Sequence, residues 1–298
     1  MPTWRLTFRE LLEKCRLNVD AVLVMRHTPK ERQFAKAFPQ IAENDPDAYN
    51  AYQRTHFIKQ QKQLATAEYL ASFIGHKPNE AVFIGLYAVG ETQAFARLSS
   101  KTKEAFDRLV EYGGNGCEDS DLVFDLRRSE VLDEYSGRLA VSWSGGAHGA
   151  RSWSRWASSL SSNGFPVTEL QSASILDQAA PIMDWRSCIF SWAELRVIPE
   201  RWQITLSQWR GIYFILDTLD GAGYVGSAYG TDNIWGRWKC YAETGHGGNR
   251  LLFNRDARNF RFSILQRLDP DLPPSEVIDL ENNWKDRLHT RDFGLNKN

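Results

Sequence analysis

Residues 211–228 read GIYFILDTLDGAGYVGSA, two runs of strand-forming residues separated by a turn. The first run spans residues 211–216 and the second residues 224–228, and both are rich in β-branched, aromatic and small residues. Residues 217–223 between them are rich in Asp and Gly. This composition predicts two antiparallel strands joined by a hairpin. The hairpin determines the fold that we predict for residues 209–298.

The residues after the hairpin predict the rest of a small domain. Residues 234–241 show a helical pattern, and the alternation in residues 260–265 (FRFSIL) is typical of a third strand. Two prolines follow, and then Ser275 is a favourable N-cap for a helix over residues 276–288. The predicted order is β-β-α-β-α, an α+β domain with a small antiparallel sheet flanked by helices.

Residues 1–200 predict a separate and larger mixed α/β domain, for which we expect a small β-barrel or a curved sheet. The boundary therefore falls between residues 200 and 201. The predicted elements are a helix at 8–17, a strand at 21–25, helices over 31–75 with breaks near 39 and at 44–46, a strand at 81–89, a β-rich stretch at 121–143, a loop at 145–149, a short helix at 151–159, an extended piece at 165–167 and a Trp-rich helical stretch at 184–208.

Composition excludes few classes of protein. The formal net charge of −1 neither favours nor excludes a nucleic-acid partner. No apolar run of about 18 residues occurs, and no apolar stretch follows the first charges, so we expect no membrane span, no secretory signal and a cytoplasmic location. The four widely spaced cysteines are typical of reduced thiols and match no common zinc-ligand spacing.

The hairpin and the residues after it resemble a known family. Gly211-Ile212-Tyr213 and Tyr224-Val225-Gly226 look like the paired strand motifs that name the GIY-YIG nucleases. The later motifs follow in the family's order: Arg237 in GRWK, His246 in GHGGN, Glu281 in ENNW and Asn296 in GLN. The likeness is to the nuclease domain of phage intron-encoded homing endonucleases. It covers residues 209–298 and says nothing about residues 1–200.

This resemblance implies a metal-dependent endonuclease, and the chemistry of the residues agrees with it. Phosphodiester hydrolysis needs an in-line water, a cation and help for the leaving oxygen. Glu281 is a hard oxygen ligand that suits Mg²⁺ or Mn²⁺, and the guanidinium of Arg237 suits a phosphate. Tyr213 and Tyr224 would place two phenols at one water. Asn296 would hold the last helix and the tail around the site.

One position departs from the commoner family pattern. Four residues after Arg237 many members carry His, whereas this chain has Tyr241 on the same helix face. Tyr213, Tyr241 and His246 therefore all remain candidates for the general base. The predicted catalytic residues are Tyr213, Tyr224, Arg237, Tyr241, His246, Glu281 and Asn296, with Glu281 as the metal ligand.

Local charge suggests where DNA would bind. Residues 237–261 carry six basic and two acidic residues, and residues 265–286 carry six acidic and two basic residues. A basic arm beside an acidic pocket suits a nuclease, although a solvated helix and loop would give the same pattern. In the N-terminal part a cation–indole pattern favours either base stacking or an amphipathic helix with Trp in the core. The predicted DNA-binding residues are Lys239, Arg250, Arg255, Arg258, Arg261, Arg151, Trp153, Arg155 and Trp156.

We therefore expect a DNA endonuclease whose target is chosen by the N-terminal domain. A role such as restriction or defence fits this design. Base modification is one signal that the N-terminal domain would read. The alternatives are a structure-specific repair or recombination nuclease, a catalytically silent nucleic-acid-binding protein, and an enzyme whose N-terminal half does unrelated chemistry. That half shows no phosphate loop or nucleophile elbow. Cutting two strands with one active site per chain suggests a homodimer on DNA or sequential nicks.

Overall fold

The computed structural model describes residues 6–143, 154–159, 164–177 and 184–297. The chain divides into two compact units, one made of Met1–Val110 and Gly114–Gln178, the other of Glu111–Gly113 and Ala179–Asn298. The second unit thus begins before the boundary predicted at residues 200/201. None of the helices in the described ranges has both the length and the apolar character that a membrane crossing requires. The predicted loop at 145–149, together with Arg151 and Trp153, lies outside the described residues.

The first unit contains a seven-stranded sheet. Its strands are β1 (Val22–His27), β2 (Tyr69–Gly75), β3 (Glu80–Ala94), β4 (Leu122–Arg128), β5 (Leu139–Ser142), β6 (Ser154–Trp156) and β7 (Val167–Leu170). The strand order is β6-β1-β2-β3-β5-β7, and β4 pairs with another part of β3. β1 and β2 are parallel, whereas the other pairs are antiparallel. Register shifts interrupt β2–β3 and β3–β4, and such bulges bend strands. The expectation of a curved sheet is confirmed.

In the described part of this unit the sheet is accompanied by the helices α1 (Phe8–Lys14), α2 (Arg32–Asn44), α3 (Pro46–Gln53), α4 (Ile58–Leu64) and α5 (Ser100–Glu111). A capping box between Thr7 and Glu10 begins α1. The core contains closely packed aromatic rings, including Phe8 at 4.9 Å and Trp143 at 5.6 Å from the Phe73 ring. Burial of these rings is the main source of stability for the unit.

Three predictions for this part of the chain are wrong. Residues 69–75 form β2 rather than a helix, because this apolar run is buried between β1 and β3, and burial on both faces removes the strand alternation. Pro39 lies inside α2 and does not end it. Ser154–Trp156 pairs with β1 as an edge strand, so the predicted helix at 151–159 does not form in its described part. Helix α5 was not predicted.

The second unit contains the predicted hairpin domain. Its elements are β8 (Ile189–Ser191), α6 (Trp192–Arg196), α7 (Glu200–Ser207), β9 (Arg210–Asp217), β10 (Gly223–Ala228), α8 (Asn233–Thr244), β11 (Phe260–Leu268) and α9 (Pro274–Arg287). The sheet order is β10-β9-β11-β8, and every pairing is antiparallel. The predicted β-β-α-β-α order is confirmed, and the α+β class holds for the chain.

Two details of this unit differ from the prediction. The stretch 184–208 is not helical throughout, because β8 within it pairs with β11 and completes the sheet. Helix α9 begins two residues early, at Pro274 rather than 276, so Ser275 lies inside the helix and Pro273 holds the N-cap position. Proline is favourable in the first helical turn because its missing N–H has no helical partner there.

The two faces of the four-stranded sheet carry different helices. On one face Tyr213 and Ile215 share a core with Trp238 and Tyr241 of α8. On the other face Ile212 and Val225 pack against Val277 of α9. β10 is an edge strand of this sheet. Side chains from both faces can therefore meet along the outer edge of β10.

Candidate active site

Tyr213 lies across the edge strand because the residue opposite it is glycine. In the β9–β10 pairing Tyr213 is directly opposite Gly226. A Cβ atom on Gly226 would lie only 2.4 Å from the Tyr213 hydroxyl oxygen. The glycine of the YVG triplet thus leaves the space through which the phenol reaches the edge of the sheet.

Three tyrosine side chains form one cluster at this place. The ring of Tyr213 lies 6.3 Å from that of Tyr224 and 6.1 Å from that of Tyr241, and the rings of Tyr224 and Tyr241 are 6.4 Å apart. The hydroxyl oxygens of Tyr213 and Tyr241 are 3.3 Å apart, within hydrogen-bond distance. Tyr213 and Tyr241 are fully buried, whereas Tyr224 is half-buried.

Helix α8 adds the arginine to this cluster. Arg237 and Tyr241 are four residues apart and share one face of α8. The Nε of Arg237 donates to the Tyr213 hydroxyl at 3.4 Å, and its guanidinium carbon lies 5.8 Å from the centre of the Tyr241 ring. The Trp192 indole N–H donates to the carbonyl of Tyr241 at 3.0 Å and fixes that end of the helix.

The loop after α8 closes over Tyr241. Gly245 ends the helix in a left-handed conformation with φ of +77°. Gly247 follows with φ of +56°, and a Cβ atom there would lie 2.4 Å from the Tyr241 ring. Both the backbone conformation and the close contact therefore require glycine at position 247.

The protonation states of the cluster follow from burial. Burial raises the pKa of Tyr213, and the neighbouring Tyr224 raises it further. Burial also raises the pKa of Tyr241 well above its usual value, with Tyr213 adding to the shift. The pKa of Arg237 is raised, chiefly by Tyr213. At neutral pH the cluster therefore holds two neutral phenols and one guanidinium cation.

A cleft of about 620 Å³ opens beside the cluster. Its polar lining residues are Tyr224, Arg237, Asn249, Arg250, Asn296 and Lys297. Of the described residues that line it, three are basic and none is acidic. A cleft with this charge favours an anion such as a phosphate group.

Asn296 attaches the C-terminal tail to the outer edge of β10. Its side-chain oxygen accepts from the Val225 backbone N–H at 2.8 Å, and its side-chain nitrogen donates to the Val225 carbonyl at 2.9 Å. Asn296 is 2% exposed. It thus supplies the hydrogen bonds that an edge strand otherwise lacks.

Glu281 approaches β10 from the other face. Its carboxylate accepts from the Ser227 hydroxyl and lies 2.8 Å from the ammonium of Lys285, one turn along α9. Ser227 is on the same side of β10 as Val225, which packs on α9, and on the opposite side from Tyr224. Glu281 is not among the residues that line the cleft. The structure brings Glu281 to β10, the strand that carries Tyr224, but to the opposite side of that strand.

His246 lies in the loop after α8. Its Nδ1 accepts from the Gly248 N–H at 2.9 Å, and its ring stacks on Phe253 with 3.9 Å between the ring centres. His246 does not line the cleft, although Gly247 and Gly248 beside it do. These two contacts hold the histidine ring within the loop.

The predicted DNA-binding residues have different surroundings. Arg250 lines the cleft, and Lys239 is exposed on α8. Arg255 bonds to the buried carboxylate of Asp217 at 2.7 Å and also to Asp220. The remaining residues are Arg258, which is paired with Asp256, Arg261, which donates to the Phe260 carbonyl, and Arg155 and Trp156, which lie on β6. DNA contact by these residues stays a prediction.

Sequence reasoning missed three polar residues of this region. Lys285 is four residues after Glu281, a spacing that predicts an ion pair on one helix face. Ser227 directly follows the YVG triplet and reaches Glu281. Lys297 follows Asn296 and lines the cleft, and no sequence signal distinguishes it from other terminal lysines.

Comparison with solved structures finds two similar chains. One is a mutant of the catalytic domain of intron endonuclease I-TevI, 28% identical, with a TM-score of 0.26 and a match covering 30% of this chain and 94% of that one. The other is the catalytic domain of homing endonuclease I-TevI, 31% identical, with a TM-score of 0.25 and coverage of 29% and 96%. No protein-family model and no curated protein matches the chain. The two matches cover less than a third of this chain.

Proposed function

We propose that the protein is a metal-dependent DNA endonuclease with a GIY-YIG active site in its second unit. One observation carries the proposal: Tyr213, Tyr224, Tyr241 and Arg237, from two strands and a helix, meet beside a positively lined cleft. Tyr213 and Tyr241 are buried, and Arg237 both contacts Tyr213 and lines the cleft. Unrelated surface residues would not be expected to form such an arrangement.

The basic residues of the cleft would bind the backbone of the substrate. Arg237 offers a planar cation whose Nε is held by Tyr213, which leaves its terminal nitrogens for a phosphate. Arg250 and Lys297 add two further positive charges along the cleft. In this role Arg237 stabilises the charge of the phosphoryl oxygens as the bond to the leaving oxygen breaks.

The three phenols would have separate tasks. Tyr213 and Tyr241 are neutral and buried, so they do not act as preformed phenolates. Tyr213 positions Arg237 through their 3.4 Å contact, and Tyr241 holds the Tyr213 hydroxyl at 3.3 Å. Tyr224 is half-buried and lines the cleft, so its hydroxyl is the one that can meet an attacking water. Tyr224 is thus our candidate for the residue that orients the water.

Glu281 would hold the metal ion. Its carboxylate already pairs with one cation, the ammonium of Lys285, and the Glu281 side chain is 16% exposed. No group of three or more His, Cys, Asp or Glu side chains suited to a metal occurs in the described parts of the chain. A single carboxylate fits Mg²⁺ or Mn²⁺, ions that keep most of their waters. When bound, such an ion supplies Lewis-acid stabilisation of the phosphate charge.

The first unit would select the target. Its curved sheet and helices form a compact unit with its own core. We propose that it binds DNA and directs cleavage in a restriction or defence role, with two copies of the chain acting on the two strands.

The test is cleavage of supercoiled plasmid with Mg²⁺ or Mn²⁺ by matched variants. Glu281→Ala and Arg237→Ala are expected to lose cleavage by at least about a hundredfold while the DNA is still shifted on a gel. Glu276→Ala, on the exposed face of α9, and Glu243→Ala, at an exposed position of α8, are the controls and keep near wild-type rates. Equal loss in a control and in its test variant would contradict the assignment of roles.

One observation favours a second candidate, a nucleic-acid-binding protein without catalysis. Lys285 is 2% exposed and places its ammonium on the carboxylate that a metal ion would need. If the wild-type protein binds DNA but leaves unmodified, modified and branched DNA uncut with either ion, the silent binder is the correct function.

A further inference from the structure

The first unit holds a pocket of its own, of about 290 Å³. Its walls come from the end of β1, from the segment that links α3 to α4, and from the start of β4. The volume lies near the lower end of the roughly 300–1,000 Å³ typical of small-molecule sites. It suits one ring system with its substituents and is too small for a dinucleotide.

Two histidine rings form one wall of this pocket. His27 and His56 are stacked with 6.2 Å between ring centres and 17° between planes. The Tyr52 ring meets His27 edge-on at 5.5 Å. His27 is 7% exposed, and the Nε2 atoms of both histidines are buried and have no hydrogen-bond partner among the described residues. Buried nitrogens without partners are costly, so each of them calls for a group that enters the pocket.

These imidazoles are neutral at physiological pH. Burial lowers the pKa of His27 to about 3, and burial lowers the pKa of His56 to about 4. A neutral imidazole has one donor and one acceptor nitrogen. His56 already hydrogen-bonds to the backbone of Gln53, which leaves its Nε2 as an acceptor. The wall therefore offers hydrogen bonds without charge, which suits a neutral polar ring better than a phosphate.

The rim has a different character from the wall. Phe57 lines the mouth and is 80% exposed, and Ile58 beside it is 71% exposed. From Arg54 to Ala67 the chain has three basic residues and no acidic one. Arg26 and Asp121 also line the pocket; burial lowers the pKa of Arg26, and the charge of nearby Arg155 lowers it further. The mouth thus combines exposed apolar side chains with one basic and one acidic lining residue, and the exposed Lys59 and Lys62 lie on α4, the helix that contributes Gln60 and Gln61 to the lining.

We propose that this pocket binds a single purine or pyrimidine nucleobase, with His27 and His56 reading its edge. A base needs aromatic walls and uncharged donors and acceptors, and the phosphates attached to it need a basic rim. An exposed apolar side chain such as Phe57 at the mouth suits insertion into the gap that an extruded base leaves. The same chemistry would also hold a free nucleoside. The inference concerns the first unit alone and does not depend on the proposed cleavage site.

The test measures binding by the full chain with EDTA present, so that cleavage plays no part. One arm uses DNA duplexes with a single 2-aminopurine, paired or mismatched, whose fluorescence rises when the base leaves the stack. The other arm uses calorimetry with the four common deoxynucleosides and their 5-methyl and N6-methyl derivatives. His27→Phe and His56→Phe keep a ring and remove the nitrogens. His76→Phe, at an exposed position that does not line the pocket, is the matched control.

We expect the wild type to bind in at least one arm. His27→Phe or His56→Phe should weaken that binding about tenfold, the effect of one lost hydrogen bond, and His76→Phe should change it less than twofold. A fluorescence rise identifies a base extruded from DNA, and nucleoside binding without that rise identifies a free nucleoside. The proposal is overturned if neither arm shows binding, or if both pocket variants unfold at the wild-type temperature and bind like the wild type.

Discussion

Gly226 offers the sharpest test of the site geometry. Replacing it with alanine adds one methyl group directly under the Tyr213 hydroxyl, at 2.4 Å from the oxygen and 2.5 Å from the ring carbon that bears it. Ordinary contacts begin at 3.4 Å, so the phenol and the strand must separate by about 1 Å. Tyr213 is fully buried between Trp238 and Tyr241, which leaves little room for that movement.

The expected effect of Gly226→Ala has two parts, a loss of stability and a loss of cleavage rate. Inserting a methyl group into a packed site costs about 1–3 kcal/mol, so the unfolding midpoint of Gly226→Ala should fall by several degrees. A movement of about 1 Å also breaks the contacts of the Tyr213 hydroxyl with Arg237 at 3.4 Å and Tyr241 at 3.3 Å. Misplacement of a catalytic group by about 1 Å lowers a rate by about a hundredfold.

The assay is plasmid nicking with Mg²⁺, together with thermal unfolding. Gly230→Ala is the matched control, because a Cβ atom there has no neighbour within 4 Å. The control should match the wild type in both measurements. The reasoning is refuted if Gly226→Ala nicks DNA within twofold of the wild-type rate and unfolds at the same temperature, because Tyr213 would then not be held where the structure places it.

Two further predictions concern stability. Arg255→Met should lower the free energy of unfolding by about 3 kcal/mol in urea, because it leaves the carboxylate of Asp217, 1% exposed, without its 2.7 Å partner; a loss below 1 kcal/mol would show that Asp217 finds another partner. Tyr213→Phe should make the protein less sensitive to alkali. The pKa of Tyr213 is raised in the folded protein. Its contribution to the free energy of unfolding is therefore intact below about pH 10. Above that pH the contribution falls by about 1.4 kcal/mol per pH unit, because the unfolded chain loses a proton that the native chain keeps. Urea titrations from pH 9 to pH 11.5 measure this slope, and equal slopes for both proteins would contradict the burial of that phenol.

Short-range signals made the second unit predictable. The Asp/Gly turn between two apolar runs predicts a hairpin, and the structure pairs Tyr224 with Ile215 and Gly226 with Tyr213 in that hairpin. Helical spacing placed Arg237 and Tyr241 on one face of α8, where both contact Tyr213. Each of these inferences needs only residues close along the chain.

The wrong predictions for the first unit arise because contacts between segments distant along the chain decide its secondary structure. β2 is a strand because it hydrogen-bonds between β1 and β3 and its two faces lie in separate cores, whereas its own residues fit a buried helix equally well. Ser154–Trp156 has helical amphipathicity, yet pairing with β1 makes it a strand. In both cases contacts between distant segments outweighed local preference.

The sequence by itself determined which elements form residues 209–298 and which phenols, cation and carboxylate they carry, because turn, cap and periodicity signals act over a few residues. Only the tertiary structure decided how those groups meet: Tyr213 passes over Gly226 to reach Arg237, and Glu281 comes to β10 from the opposite face with Lys285 on its carboxylate. The physical reason is that such contacts depend on how the hairpin, α8 and α9 pack together, and packing joins residues that no local pattern relates.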